Sequence, residues 1–257
     1  MRIAMLSSGS KGNATLIQTK THLILLDCGI SRRALMTKMA ELGVSLDALD
    51  AVILSHEHDD HTRGLKQLLK HQTPLLLSHA MTLEHLNGVV PSLQEPLTPG
   101  VKTMLGSLEI LPFQVSHDAV APLGFKLTEE GRSMVHITDT GFIPQTAHAP
   151  LSNAEVYVME SNYDAGLLYA SPRPHHLKKR IDSVKGHLSN LDAAYHLAHM
   201  VGPSTHSVIF AHLSEDCNTP SHTLETFYEV FQDYALSTQA VQTYCASAKV
   251  VTPCIHV

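Results

Sequence analysis

The amino-acid sequence predicts one α/β domain of two packed β-sheets extending over residues 1–257. Three features carry that expectation. Short apolar, strand-like runs stand at both ends of the chain, with helical periodicity between them. Several of these runs end in a histidine or a carboxylate, as strands do when one edge of a sheet carries a site. With 257 residues, 44% of them hydrophobic and 16% charged, the chain is long enough for a sizeable core and composed like a soluble globular protein.

Residues 3–6, 15–18 and 22–27 read as three short strands. The loop Ser7-Ser8-Gly9-Ser10-Lys11-Gly12-Asn13 is rich in turn formers and offers backbone N–H groups to an anion. It lacks the spacing of a P-loop, and a plain hairpin loop competes with a substrate-facing one. The third strand is almost wholly apolar and ends in Asp27, then Cys28-Gly29, which aims the carboxylate at a turn or a site. A helix over 31–42 follows, with Leu35, Met39 and Leu42 on one face and Gly43 as its stop. The run Ala51-Val52-Ile53-Leu54 leads into Ser55-His56-Glu57-His58-Asp59-Asp60-His61, and Leu65, Leu68 and Leu69 mark a helix over 62–70. Residues 74–78 read as a buried strand, 80–87 as a short helix and 100–113 as a hairpin around Gly106. Val115 to Asp118 closes a strand with His117. Residues 124–128 and 133–139 alternate like paired strands around a turn at 129–132, the second ending in Asp139-Thr140-Gly141. The strand 156–160 ends in Glu160. A less regular stretch, 161–174, leads to the basic segment His175 to Arg180, and Gly186-His187-Leu188-Ser189-Asn190 precedes a helix over 191–200. Strand 207–211 delivers His212, the last helix spans 220–234 with Leu224, Phe227, Phe231 and Tyr234 on one face, and a final strand lies near 247–252.

No apolar run approaches the roughly 20 residues that cross a bilayer, and the start shows no signal-peptide pattern. The cysteines, Cys28, Cys217, Cys245 and Cys254, lack metal-motif and disulfide-framework spacing, so reduced thiols in a cytoplasmic protein are expected. A net charge of −6 gives no global attraction to nucleic acid, which would have to meet a local basic patch.

The densest chemistry lies in His56, His58, Asp60 and His61, four metal-capable side chains within six residues. Imidazole and carboxylate suit zinc and harder divalent ions. The block is crowded for one ion, and a pair about 3.5–4 Å apart, as in two-metal hydrolases, would use all four. A merely histidine-rich polar loop is the competing reading in a chain with 19 histidines. Against it, further apolar runs end in Asp27, His117, Asp139, Glu160 and His212. Singly, each is as ordinary as a buried histidine or a turn. Jointly they describe one ligand-bearing sheet edge.

This set, with its H-x-H-x-D-H core, resembles the metallo-β-lactamase superfamily over essentially the whole chain. The resemblance implies an αββα sandwich, with His56, His58 and His117 on one ion, Asp60, His61 and His212 on the other, Asp139 bridging, and Asp27 orienting a ligand or the water from behind. Ser7 to Asn13, Glu160-Ser161-Asn162-Tyr163-Asp164, Gly186 to Asn190 and Ala211-His212-Leu213-Ser214-Glu215 resemble the YycJ/WalJ-like group of hydrolases and exonucleases. Glu215-Asp216-Cys217-Asn218 departs slightly from that group's Glu-x-Asn-Asn. The implied function is a two-metal phosphodiesterase acting on nucleic acid, like a 5′-to-3′ DNA exonuclease, with a shared water ionised to hydroxide as nucleophile. Asp60, His187 and Glu160 are the candidate catalytic residues. By likeness to the Glu–His dyad of tRNA-processing nucleases, Glu160 would orient His187 to protonate the leaving oxygen; a structural or substrate-clamping His187 is the competing role.

Ser8, Asn13, Asn162 and Asn190 are candidate substrate contacts, and the basic run from Arg173 to Arg180 is either a phosphate contact or a solvated helix face. His71, His79, His85, His196 and His199 are assigned to surface or packing. A small phosphodiester, thioester or lactone hydrolysed by the same site is the main alternative. An oxygen-reducing relative would carry a carboxylate where His58 stands, and a silent binding protein would lack some ligands. The interval from Asp139 to His212 has no room for a β-CASP insertion. Two divalent ions are expected, zinc or manganese with iron also suitable; the native metal and the oligomeric state stay open.

Overall fold

The computed structural model of the chain describes residues 1–86 and 93–257. Its elements begin with β1 (Arg2–Ser7), β2 (Ala14–Gln18), β3 (Leu23–Leu26), α1 (Arg32–Glu41), β4 (Ala51–Ile53), α2 (Asp59–Thr62) and α3 (Leu65–Leu69). They continue with β5 (Leu75–His79), α4 (Ala80–His85), β6 (Gln94–Leu97), β7 (Thr103–Leu105), β8 (Leu108–Gln114) and β9 (Leu123–Glu129). After β10 (Arg132–Ile137), α5 (His148–Leu151) and β11 (Val156–Glu160) come α6 (Ala165–Ala170), α7 (His175–Ile181) and α8 (Asn190–Met200). The chain then runs through β12 (Ser207–Ala211), α9 (Pro220–Asp233), β13 (Gln242–Cys245) and β14 (Ile255–His256). These elements fall into two compact units, one of Met1–Gln114, Ala119–Gly131 and Ser247–Val257, the other of Val115–Asp118 and Arg132–Ala246.

In the first unit a sheet runs β14-β1-β2-β3-β4-β5-β6. Its first half is antiparallel and its second parallel, with Leu26 opposite Ile53 and Ile53 opposite Leu77. The parallel strands β3 and β4 are buried along their whole length, which is why they read as unbroken apolar runs rather than alternating ones. Ser31 caps α1 by accepting from the Ala34 N–H, Leu35 and Met39 face the core, and Gly43 adopts the left-handed φ of +71° that ends it. The helix expected over 62–70 is two short helices. Gly64 separates them: its N–H donates to the Cys28 carbonyl at 2.8 Å instead of to the preceding turn, and a Cβ there would lie 1.9 Å from the Ile30 carbonyl oxygen; α2 starts inside the histidine block itself. Strands β7, β8 and β9 form an antiparallel meander, its first turn at Gly106 as expected. β8 stops at Gln114, so His117 stands in the loop after a strand rather than closing one. The far end of the helix expected over 80–87, residue 87, lies outside the described residues.

In the second unit β10, β11, β12 and β13 are parallel neighbours, with Glu160 opposite Ala211. β11 and β12 are buried throughout. The stretch expected to be irregular holds α6, capped by Asp164, whose carboxylate accepts from the Leu167 N–H at 2.9 Å. Thr219 and Pro220 start α9, which buries Thr223, Phe227, Val230 and Phe231. Leu224 is only half-buried and Tyr234 is exposed, because the buried face is rotated from the expected one. The strand expected near 247–252 is absent; β13 and β14 flank that stretch, and Thr252 is tied instead through its hydroxyl, which accepts from the Met5 N–H at 2.9 Å. Among the described residues, no helix is long and apolar enough to cross a membrane.

His148 on α5 and His196 on α8 share a hydrogen bond of 2.8 Å, and His199 stacks on the His148 ring at 5.3 Å. Burial and the neighbouring His148 push the His196 imidazole down to about 4, against an opposing pull from Asp192, and burial with His199 lowers His148 as well. Both are neutral in the fold, while the unfolded chain takes up their protons near pH 6.5. Stability is therefore unaffected by this pair above pH 6.5 and falls as pH drops from there toward 4, by at most about 1.4 kcal/mol per pH unit per proton. Thermal unfolding of wild type and His196→Gln from pH 7.5 to 4.5 checks this: the variant's Tm should fall less steeply below pH 6.5, and parallel curves would contradict the assignment.

Candidate metal centre

Asp27 follows β3 directly and holds a left-handed φ of 63°, costly for a residue other than glycine. The parallel pairing of β3 with β4 sets it beside Ser55, whose backbone N–H and hydroxyl donate to Asp27 Oδ1 at 2.8 and 2.9 Å. The other oxygen, Oδ2, accepts from His61 Nδ1 at 2.8 Å. With its proton on Asp27, the Ser55 hydroxyl accepts from His56 Nδ1 at 3.0 Å. Both rings are thereby fixed with Nδ1 on protein and Nε2 left as the basic nitrogen. The His56 ring lies 4.1 Å from that of His61 and 4.6 Å from that of His58. Asp60 Oδ2 is 3.6 Å from His61 Nε2. Asp27, His56 and His61 are buried, and His58 and Asp60 half-buried.

The second unit repeats this design. Glu160, fully buried at the end of β11, accepts from the Thr140 N–H at 2.8 Å through one oxygen. Through the other it meets His187 Nδ1 at 2.7 Å and His212 Nδ1 at 3.2 Å. Burial pushes the Glu160 carboxyl up, but the His187 charge and the bonds from His187 and His212 outweigh it and hold the group below the usual carboxylate range. Asp139 and His212, just beyond β10 and β12, also take left-handed φ values of 54° and 56°. Asp139 Oδ1 stands 3.5 Å from His212 Nε2, 3.7 Å from His187 Nδ1 and 4.0 Å from His117 Nε2. His117 Nδ1 donates to the Gly186 carbonyl at 3.1 Å, and burial, with His187 adding to it, lowers its pKa against Asp139, keeping the ring neutral.

These donor sets fit a divalent ion. One ligand atom from each of Asp139, Glu160, His187 and His212 lies within 4.8 Å of the others, and nitrogen with carboxylate oxygen is the chemistry that zinc, manganese and iron accept. Glu160 in that set is also engaged by the His187 and His212 rings and by the backbone N–H groups of Thr140 and Leu188.

The expected substrate contacts are buried. Asn13 Oδ1 accepts from the Gly9 N–H at 2.8 Å, while its amide donates to His61 Nε2 at 3.0 Å, the nitrogen a metal would take. The Ser8 N–H donates to the Ser247 carbonyl at 3.2 Å. Asn162 donates to the His212 carbonyl at 2.7 Å. Asn190 Oδ1 accepts from the hydroxyl of Ser161, the residue after Glu160, at 2.6 Å and from Asn218 Nδ2 at 2.8 Å. Ser55, Thr140 and Asn218 were not singled out from the sequence. Ser55 had a signal in its place between a strand and a histidine, Thr140 in the turn after Asp139, and Asn218 in the run Glu215-Asp216-Cys217-Asn218. Cys28 beside Asp27 is raised to about 12 by burial and then by Asp27, which makes it an inert thiol.

A family model described as a β-lactamase superfamily domain matches residues 22–212. Exodeoxyribonuclease WalJ of Streptococcus pneumoniae is 33% identical over 223 residues, 84% of this chain and 83% of that one. Exodeoxyribonuclease YycJ of Bacillus anthracis is 32% identical over 223 residues, covering 85% and 84%. Among solved structures, the metallo-β-lactamase fold protein YhfI of Bacillus subtilis superposes over 98% of each chain with a TM-score of 0.75 at 18% identity. The chain thus belongs to the β-lactamase superfamily, with the α/β metallo-β-lactamase fold, and is a metal-dependent hydrolase.

Proposed function

We propose that the chain is a two-metal phosphodiesterase that degrades nucleic acid, as a 5′-to-3′ DNA exonuclease, from a single hydrolase domain spanning residues 1–257. The observation that carries this reading is the Glu160–His187 pair at 2.7 Å, beside Asp139. A poor alkoxide leaving group needs a proton, and an amide, thioester or lactone needs it less. Kinship with two named exodeoxyribonucleases and a family match running across both units support it. The four free cysteines suit a cytoplasmic protein.

His56, His58 and His117 would hold one ion, Asp60, His61 and His212 the second, with Asp139 shared; the ions would supply polarisation of the phosphate oxygen and an activated water near neutral pH. Glu160 accepts the His187 Nδ1 proton, fixes the ring and stabilises its charged form. His187 then carries on Nε2 the proton that the leaving oxygen takes. Asp27, directly at His61 and through Ser55 at His56, and Glu160, directly at His212, would keep Nε2 of the three rings as the ligating nitrogens.

The test is hydrolysis of a bis-aryl phosphodiester and of 5′-labelled duplex DNA after chelation and return of zinc or manganese. Turnover should require metal and vanish in Asp139→Ala, and the DNA products should shorten from the 5′ end. Silence on both substrates with two ions bound would move the reading to a thioester or lactone. His187→Ala should keep its metal content while turnover on DNA falls by about 10²–10⁴; loss of metal in that variant would show that His187 is a ligand instead.

A further inference from the structure

Resting on the nuclease reading, we propose that a rim of the second unit grips a single-stranded nucleic-acid segment, with Lys179 and Lys185 on backbone phosphates and Phe142 stacked on an unpaired base. The stretch 173–185 holds five of the chain's 18 lysines and arginines in a protein of net charge −6. Its one acid, Asp182, is exposed and accepts hydrogen bonds from the hydroxyls of Tyr163 and Tyr169, so both its oxygens are engaged within the protein. Arg173 pairs with Asp216 at 2.9 Å, Arg180 with Asp118 at 2.9 Å, and Lys178 donates to the Tyr169 carbonyl at 2.6 Å. Lys179 and Lys185 are exposed and have no side-chain partner among the described residues.

This cationic segment is bolted to the ligand-bearing loops. The Ser116 hydroxyl donates to the Val184 carbonyl at 2.6 Å, and His117 Nδ1 to the Gly186 carbonyl at 3.1 Å. The His187 N–H donates back to the Ile181 carbonyl at 2.9 Å. From the other side Gly141, two residues after Asp139, presses against the same loop so closely that a Cβ on it would lie 2.0 Å from the Ser183 oxygen. Lys185 therefore lies in a segment tethered to His117 and His187, and Phe142 directly follows the glycine that packs on that segment. Thr140 fixes that residue by donating to the Phe142 carbonyl at 2.9 Å. Phe142 is 51% exposed and Val184 66%, while the other phenylalanines are buried or half-buried. An exposed aromatic residue adjoining a loop that carries lysines without side-chain partners is the combination that binds single strands, stacking on the base face and neutralising the backbone.

The experiment measures KM on a 5′-phosphorylated single-stranded oligonucleotide, across a salt series, for the metal-loaded protein. Wild type is compared with Lys179→Glu/Lys185→Glu, with Phe142→Ala, and with Lys249→Glu as a control on an exposed lysine of the first unit; metal content is read in parallel. The double variant should raise KM at least about tenfold and flatten the log KM against log salt slope by roughly 1.4, two phosphate contacts at about 0.7 each. Phe142→Ala should raise KM at least about fivefold, with the control at wild type. Wild-type KM and slope in both test variants, from a protein that cleaves DNA, would overturn the grip and leave the nuclease reading standing. A wild-type protein that cleaves no DNA would bring down the nuclease reading and the grip with it.

Discussion

A buried carboxylate bonded to the Nδ1 of a histidine is the interaction on which the rest depends, and it occurs in both units: Asp27 with His61, and Glu160 with His187 and His212. A carboxylate that loses its water is costly by several kcal/mol unless fixed donors replace it. Ser55 and Thr140 supply those donors from the backbone, so the loop after β4 and the loop after β10 cannot drift without exposing the cost. Each carboxylate in return fixes the tautomer of its histidine, and orients a ring that would otherwise rotate. The candidate ligand rings are thus held from behind by the protein itself.

Parallel strands explain where these residues sit. β3 and β4 end side by side, as do β11 and β12, so residues distant in sequence emerge together at the carboxyl ends. Asp27, Asp139 and His212 turn sharply there, with φ of 63°, 54° and 56°. Such conformations persist only where surrounding bonds over-determine them. At Asp27 those bonds come from Ser55 and His61, at His212 from Asn162 and Glu160. Strain and fixation appear at the same residues, as expected of a site built for geometry rather than for stability.

Much of this was legible in the sequence because burial on both faces of a parallel strand leaves an unbroken apolar run, and a polar residue at its end is conspicuous. β3, β4, β11 and β12 were read that way, together with Asp27, His56, Glu160 and His212. What escaped depends on partners far along the chain. Gly64 splits a helix where its N–H is drawn to the Cys28 carbonyl and the Ile30 carbonyl passes against it. Asn13, Asn162 and Asn190 read as substrate contacts because they are polar residues in loops; the bonds their amides make inside the protein, to Gly9 and His61, to His212 and to Ser161, were not readable there. Ser55 is as plain a residue as any, and becomes a hub only once β3 has brought Asp27 to it. The segment 247–252 has strand-like composition but meets the first unit through scattered bonds, Ser247 with Ser8 and Thr252 with Met5, rather than through a regular ladder.

The most direct measurement is metal affinity, by competition with a chromophoric chelator, in Asp27→Asn and Glu160→Gln. Neither substitution removes a proposed ligand or changes side-chain size. If the carboxylates act by fixing the rings, zinc should bind about 10–100-fold more weakly in each, with far-ultraviolet circular dichroism unchanged. Wild-type affinity in both variants would contradict the carboxylate–histidine bond as the organising interaction of the site.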